Sequence, residues 1–288
     1  MSQEEEKRGL SAPVASAPSR RISQGPVMPI GGGEEKESSC DEEVFQRFVE
    51  LAGGKQAAIV VIPTASETPE EMGAEYTRVF SNLGAKSVEV LQVEEREDAN
   101  SDSCLRLLEG ASGIFISGGA QSQLVSLLAG TLSMECIRTR NADGVVVAGT
   151  SAGASIVASH MVAGDTGLAG DSGTTAAHKG MVEMVSGFGL VQDLIIDQHF
   201  SERGRMGRLL SVLAANPGML CIGLDEDTAV VIDREGMLEV LGSGMVTIID
   251  GRNTTSDYFE RKIGDVLPVV NSHLSVLGSG RRFDLDRR

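Results

Sequence analysis

A serine flanked by glycines and alanines ends an apolar run in the stretch VVVAGTSAGASIV. Gly149, Ser151 and Gly153 satisfy the pattern G-x-S-x-G, which marks a sharp strand-to-helix turn that exposes the serine Oγ. Only small neighbours let the backbone pass so close to this serine. The N-terminal N–H groups of the following helix would face the same point and stabilise an oxyanion. The stretch therefore predicts a serine nucleophile at Ser151.

A serine nucleophile needs a general base, and the sequence offers four histidines. His199 closes the apolar stretch LIIDQHF, so the carboxyl edge of the same sheet would present it beside Ser151. We expect His160 on the helix after Ser151, pointing away, and His178 in a flexible glycine-rich loop. His273, near the C-terminus, is interpreted as structural. His199 is the predicted base, and the alternative is a half-buried histidine bonded to backbone.

The base in turn needs an acceptor that orients its ring. The segment GLDEDTAVV places Asp225, Glu226 and Asp227 at a strand junction. Three adjacent carboxylates usually form a solvated turn, but the alternation of a strand can turn the middle one inward. Asp197 competes for the role, because it lies two residues before His199. The residues alone leave the orienting acid open among these carboxylates.

Three arginines follow the predicted base in HFSERGRMGRL. Arg205 and Arg208 are three residues apart and are expected to share a helix face, with Arg203 at the entry turn. The formal net charge of the chain is -16. In so acidic a protein, clustered arginines beside a histidine favour bidentate binding of substrate carboxylates over a merely solvated basic face. A substrate with both carboxylates and cations would suit such a site.

The elements that must position these residues alternate along the chain. Short apolar strands and amphipathic helices follow one another from PVMPIGGG to VVVAGTSAG, which is typical of βαβ units and a parallel sheet. One of these helices is expected over the stretch QSQLVSLLAGTLSMECIRTRNADG. The glycine triplet 31–33 lacks a P-loop's residues and predicts a tight turn near a ligand or the nucleophile. Three strands near the C-terminus predict a mixed or antiparallel extension. The glycine-rich stretch 164–180 is long enough to predict a functional loop.

Composition narrows the classes of function. The chain has 288 residues, no Trp and 3% aromatic residues, and with its negative charge this argues against a nucleic-acid partner. Its four cysteines contain no CxxC pair, so we expect no metal site, and no cofactor is expected. We expect no membrane partner, because no apolar run is long enough to span a bilayer; without a signal peptide, the expected compartment is the cytoplasm. Residues 1–25 are predicted to be a disordered tail and 26–288 a single α/β catalytic domain.

The phrases GTSAGA, DQHFSERGRMGRLL and GLDEDTA together resemble the serine peptidase family that contains the cyanophycinases and the peptidase E-type aspartyl dipeptidases. Within it, they are most similar to the cyanophycinases. The resemblance implies a three-layer α/β/α sandwich with a mostly parallel sheet, of the class I glutamine amidotransferase-like (flavodoxin-like) type. It also implies a Ser-His-Glu triad and backbone oxyanion donors, which fall here on Ser151, His199 and Glu226, and on Ala152 and the Gly118-Gly119 turn.

The resemblance also implies a reaction and its ligands. Cyanophycin is a polyaspartate whose β-carboxyls carry arginine, and a serine-type exopeptidase would release β-Asp-Arg dipeptides through an acyl-enzyme. A homodimer is implied as well. The family's substrate-binding positions fall on Gln121, Asp197, Gln198, Arg203, Arg205 and Arg208.

One residue departs from the family pattern. Ala120 stands where relatives have Asp or Asn before the glutamine of the GGxQ turn, which leaves affinity and specificity open. Two alternative functions also stay open. One is an aspartyl or isoaspartyl dipeptidase with the same triad, and the other is a binding protein that keeps the fold without turnover.

Overall fold

A computed structural model describes residues 25–33, 39–166 and 175–287. The predicted tail therefore lies outside the described residues except for Gly25, and residues 167–174 of the predicted loop lie outside them too. The strands are β1 Val27–Ile30, β2 Ala58–Ile62, β3 Ser87–Val90, β4 Gly113–Ile116, β5 Val146–Thr150, β6 Ala158–Asp165, β7 Val182–Ser186, β8 Val191–Asp197, β9 Leu220–Leu224, β10 Thr228–Ile232, β11 Met237–Gly242, β12 Val246–Asp250, β13 His273–Leu277 and β14 Arg282–Asp284. The α-helices are α1 Ser39–Leu51, α2 Pro69–Asn82, α3 Asp102–Gly110, α4 Gln121–Leu128, α5 Leu132–Ala142, α6 Ala152–Ile156 and α7 Met206–Ala215.

The strands form two sheets. The larger has the order β14-β11-β10-β1-β5-β4-β2-β3, and its neighbours from β1 to β3 are parallel. The parallel strands are short apolar runs separated by helices, and burial on both faces explains why they do not alternate in polarity. The carboxyl ends of β1, β5, β4 and β2 therefore lie side by side along one edge.

The second sheet has the order β13-β12-β9-β8-β6-β7. Only β6, β8 and β9 pair in parallel, and the other pairs are antiparallel. The predicted α/β fold is confirmed as a layered arrangement of helices and sheets. The predicted extension is also present, with β10 and β11 pairing antiparallel at the edge of the first sheet.

Apolar packing joins these layers. One cluster packs α1 and α2 against one face of the larger sheet, with Phe45, Phe80 and Phe115 in edge-to-face contact. A second cluster fills the space between the other face, helices α3 to α6 and the second sheet. A third packs α7 on the outer face of the second sheet. The burial of these apolar side chains is the main free-energy term that stabilises the two sheets. The sheets in turn hold the polar residues at the strand ends in place.

Three details differ from the sequence-based expectations. The single helix expected after the GGxQ turn is two helices, because Gly130 takes φ +71° between α4 and α5. The helix after Ser151 is only five residues long, so His160 lies on β6 and not on that helix. The last helix begins at Met206, so Arg203 and Arg205 precede it. None of the helices in the described residues is long and apolar enough to cross a membrane.

Candidate active site

Ser151 occupies a strained turn between β5 and α6. Its backbone has φ 52° and ψ -111°, outside the regions that L-residues prefer. A Cβ on Gly149 would overlap the carbonyl of Gly153, and a Cβ on Gly153 would overlap that of Ile116. Both glycines of the G-x-S-x-G pattern are therefore required by close backbone approach, which explains why small residues surround the serine.

Ser151, His199 and Glu226 form one hydrogen-bonded chain. The Oγ of Ser151 lies 2.9 Å from Nε2 of His199, and Nδ1 of His199 lies 2.5 Å from Oε1 of Glu226. A carboxylate accepts only, so Nδ1 carries the proton and the Nε2 lone pair faces the serine hydroxyl. The three side chains thus have the geometry of a nucleophile, a base and an orienting acid.

Two of the competing carboxylates, Asp225 and Asp197, have other partners. Asp225 accepts from the backbone N–H groups of Ser201 and Met245, each at 3.1 Å. Asp197 is bound by arginines. Among the four carboxylates left open by the sequence, Glu226 is the one that the structure brings to the His199 ring.

The end of β1 and the glycine triplet that follows it bind the backbone at all three positions. The N–H of Ser151 donates to the carbonyl of Ile30 at 3.0 Å, and that of His199 donates to Gly31 at 2.9 Å. Gly32 accepts from Asp227, the residue after Glu226, at 2.9 Å. A Cβ on Gly32 would strike the His199 ring, and one on Gly33 would strike the Glu226 carboxylate.

This support was only partly foreseen. The sequence predicted a tight turn near the nucleophile or a ligand, whereas the turn also contacts the base and the acid. A glycine triplet directly after a buried strand was the signal available in the sequence.

Two backbone segments border the serine. Ala152 is the first residue of α6, where N–H groups have no acceptor within the helix. The Gly118-Gly119 turn follows β4, and a Cβ on Gly118 would lie 3.1 Å from the Ser151 Cβ. Gly119 has φ +135° and packs against the backbone of Ala65. A side chain on Gly118 would crowd the serine, and one on Gly119 would overlap the carbonyl of Ala65.

The environment of His199 favours its neutral form. Burial lowers the pKa of His199 below its ordinary value, the hydrogen bond and charge of Glu226 oppose this, and the charges of Arg203 and Arg205 lower it further. A neutral imidazole at pH 7 can accept the proton of a serine hydroxyl, as a general base must.

Arg205 and Arg208 do not share a helix face as expected from the sequence. Arg208 is 4% exposed, and its Nε donates to Oδ2 of Asp197 at 2.9 Å while its Nη2 donates to Oδ1. Nη1 of Arg205 donates to the side-chain oxygen of Gln198 at 2.8 Å, to its carbonyl, and to Asp197 at 3.4 Å. The expected shared face is wrong because the helix starts at Met206 and turns Arg208 inward.

The remaining predicted residues differ in exposure. Arg203 is exposed and makes no ion pair with any residue of the described ranges, whereas Gln198 is buried. Gln121 begins α4, and its Nε2 is buried without a partner in the described part of the chain. Gln121 and Arg203 therefore retain polar groups that a ligand could use.

The other histidines lie apart from the serine. Nδ1 of His160 contacts Ser159, and Nδ1 of His178 lies 3.1 Å from the carbonyl of Gly264. His273 is exposed at the start of the edge strand β13. The hydrogen bond to Ser151 Oγ is made by His199.

The comparisons with known proteins agree with this site. The model of the family described as peptidase family S51 matches residues 27–240, which include all three members of the chain from Ser151 to Glu226. The chain belongs to peptidase family S51. Family S51 membership makes it an enzyme of the peptidase class.

Several family S51 relatives carry one name. The chain is 43% identical over 265 residues to the cyanophycinase of Trichormus variabilis, covering 91% of this chain and 86% of that protein. It is 40% identical over 260 residues to the cyanophycinase of Geminocystis herdmanii, covering 90% and 93%. A third, from Synechococcus elongatus, is 36% identical over 264 residues, covering 91% and 80%.

Solved structures support the family S51 fold. A peptidase from an acI-B1 Actinobacterium superposes with a TM-score of 0.65 at 22% identity, covering 92% of this chain and 98% of that one. A peptidase E protein from Listeria monocytogenes EGD-e gives 0.51 at 19% identity, covering 76% and 99%. At these identities the likeness concerns the fold alone.

Proposed function

We propose that the chain is a serine-type exopeptidase that hydrolyses cyanophycin to β-Asp-Arg dipeptides. The observation that carries the proposal is the continuous hydrogen-bonded chain from Ser151 Oγ through His199 to Glu226, at 2.9 Å and 2.5 Å. The substrate follows from relatives that are named cyanophycinases at 36% to 43% identity over most of the chain.

In the first step, the Oγ of Ser151 attacks the backbone carbonyl carbon while its proton passes to Nε2 of His199. Glu226 holds the ring in the required tautomer and stabilises the imidazolium that forms. The new oxyanion accepts hydrogen bonds from the backbone N–H groups of Ala152 and Gly119, which are fixed before the substrate binds.

In the second step, the C–N bond breaks and the imidazolium gives its proton to the leaving amine. Water then attacks the acyl-enzyme with His199 again acting as base, and Ser151 is released.

The substrate carries carboxylates and guanidinium groups, and the site offers partners for the carboxylates. Arg203 is exposed beside the base, and Gln121 has a buried donor without a partner in the described residues. Gln198 and Arg205 border the same turn, with Arg205 fixed by Gln198. Asp197 and Arg208 act by holding this turn, because their charges neutralise each other in the interior.

The test is incubation with insoluble cyanophycin, with released β-Asp-Arg followed by mass spectrometry. We expect release by the wild type and a loss in kcat of at least ~10⁴-fold in Ser151→Ala. Ser155→Ala, which changes a buried serine in the same short helix, is the matched control. Cleavage of short aspartyl or isoaspartyl peptides without polymer release would favour the dipeptidase. Inactivity on both would favour a binding protein.

We also infer a homodimer. Large apolar side chains are exposed on and before the edge strand β13, with Phe259 at 82%, Leu274 at 58% and Val276 at 50%. An interface between two copies of the chain would remove these apolar side chains from contact with water. Sedimentation equilibrium would give twice the chain mass, and Leu274→Glu would shift the mass towards one chain. The cytoplasmic location and the single domain 26–288 stay predictions.

A further inference from the structure

A cavity of about 500 Å³ opens at the same sheet edge as the proposed nucleophile. Its walls come from the segments that follow β2 and β3, the start of α2, and α4. Three glutamates line it, Glu70, Glu71 and Glu94, together with Thr64 and the amide side chains of Gln92 and Gln123. None of the described residues that line it is Lys, Arg or His.

The cavity is connected to Ser151 by direct contacts. Gly118 lies against Ser151, and the adjacent Gly119 packs on the carbonyl of Ala65. The N–H of Ala120 also donates to that carbonyl at 2.8 Å. Ala65 directly follows Thr64, which lines the cavity. Since β5, β4 and β2 are consecutive neighbours and strands lie ~4.8 Å apart, the cavity begins about 10 Å from the nucleophile.

The three carboxylates have no basic partner in the described part of the chain. The nearby Arg96 does not pair with these carboxylates, because its guanidinium donates to the carbonyls of Ser126 and Ala129 at the end of α4. Asp98 accepts from the N–H of Glu94 at 3.0 Å and so fixes the turn that presents Glu94. Unpaired like charges around a concave wall produce a negative potential that attracts a cation.

A second observation points to a polar ligand. Thr64 is 1% exposed, and its Oγ1 has no hydrogen-bond partner among the described residues. A buried hydroxyl without a partner costs free energy. A ligand with several N–H donors in the cavity could satisfy the Thr64 hydroxyl and the carboxylates together.

Helix stabilisation explains only part of the cluster. Glu70 and Glu71 lie in the first turn of α2, where negative charge interacts favourably with the helix dipole. Glu94 lies in a turn after β3 and gains nothing from that dipole. Across the described residues, no group of three or more His, Cys, Asp or Glu is placed to hold a metal ion. The three carboxylates are therefore not placed to share a metal ion.

We propose that this cavity, lined by Glu70, Glu71, Glu94 and Thr64, binds the guanidinium group of an arginyl branch of the substrate. A guanidinium is planar, always charged and carries five N–H donors, which matches spread carboxylates better than a point charge does. This inference rests on the proposed function for the identity of the substrate. It divides the site into a basic side for the carboxylates of the substrate and an acidic cavity for its guanidinium groups.

The first test compares kcat/KM on cyanophycin for Glu70→Gln/Glu94→Gln and the wild type. Losing a charged hydrogen-bond partner for the guanidinium lowers kcat/KM roughly tenfold or more, chiefly through KM. Glu109→Gln/Glu135→Gln is the matched control, because it removes the same charge from a different cavity, on α3 and α5. Equal values for both double variants would overturn the inference. Glu94→Gln alone keeps the test independent of any effect on α2.

The second test does not need turnover. In a Ser151→Ala background, calorimetry would measure binding of arginine amide and of citrulline amide, its neutral counterpart. We expect arginine amide to bind about tenfold tighter or more, and Glu70→Gln/Glu94→Gln to abolish the difference. Equal affinities would overturn the cation site.

The two tests separate the two proposals. Discrimination by charge in a protein that leaves cyanophycin intact would reject the proposed function and keep the cation site. Cleavage of cyanophycin that is unaffected in Glu70→Gln/Glu94→Gln would keep the function and reject the site.

Discussion

Two polar clusters meet at the end of β8, two residues apart, and they differ in almost every physical respect. His199 has φ 45° and contacts Ser151 on one side and Glu226, whose side chain is 34% exposed, on the other. Asp197 is 1% exposed, and arginines occupy both of its carboxylate oxygens. The first cluster, the triad, is strained and open on one side. The second, the Asp197 ion-pair cluster, is closed.

The comparison shows that charged residues of one turn can have different roles. A reactive group needs an unoccupied direction in which a substrate can bind, and the backbone strain around it is maintained by the rest of the fold. A buried ion pair has no such direction, because desolvated charges must satisfy each other. Arg208 therefore lies close to His199 in the sequence, but its guanidinium binds Asp197.

The largest expected effect tests whether the buried charges of the Asp197 ion-pair cluster depend on each other. Asp197→Ala leaves the charge of Arg208 buried without its partner, so the free energy of unfolding should fall by about 3–5 kcal/mol. Urea denaturation measures this change. The control is Glu235→Ala, since Glu235 pairs with Arg234 at 2.6 Å on the exposed surface and should leave the midpoint unchanged. A stable Asp197→Ala protein with only a raised KM would instead make Asp197 a substrate ligand.

The next effect tests the open cluster through its backbone support. In Gly32→Ala the new Cβ would collide with the His199 ring, and a displacement of about 1 Å is expected to lower kcat/KM on the order of 100-fold. Gly84→Ala is a matched control, because Gly84 has a similar φ of +88° but nothing within 4 Å of the added Cβ.

Both glycine variants should lose similar stability from the left-handed backbone, and only Gly32→Ala should lose activity. Steady-state kinetics on cyanophycin and thermal unfolding of the two proteins give the comparison. Equal loss of activity in both would mean that strain, and not the contact with His199, is responsible.

Much of the fold could be predicted from local pattern. Buried runs such as AIVVI and GIFI between amphipathic helices predict parallel strands because both faces are covered. The break between α4 and α5 was missed because apolar residues continue on both sides of Gly130. The strand β6 was missed because the elbow helix is only five residues long, and pattern alone cannot fix so short an element.

The site was predicted less completely, for physical reasons. Ser151 and His199 stand at strand ends, where parallel topology brings residues together. The choice of Glu226 came from the family resemblance, since three adjacent carboxylates look alike in sequence. The inward turn of Arg208 depends on where α7 starts, and Asp197 compensates its charge from another element. The acidic cavity joins segments after β2 and β3 and has no continuous motif.

The smallest expected effect concerns the charge of Arg203 and the pKa of His199. The proposed mechanism needs neutral His199, so kcat/KM should fall as pH drops through the pKa of His199, which burial and the neighbouring arginines hold below its ordinary value. Arg203 lowers this pKa, so Arg203→Gln should raise it and move the acid limb of the pH profile to higher pH.

The control is Glu202→Gln, an exposed neighbour that is not among the causes of the His199 shift and should leave the limb in place. Since Arg203 is exposed, the shift should be visible at low ionic strength and largely disappear near 1 M salt, where charges are screened within about 3 Å. A uniform loss of kcat/KM at every pH, with the limb unmoved at low salt, would contradict the electrostatic link. Arg203 would then act through contact with the substrate alone, and the triad would be electrostatically independent of this arginine.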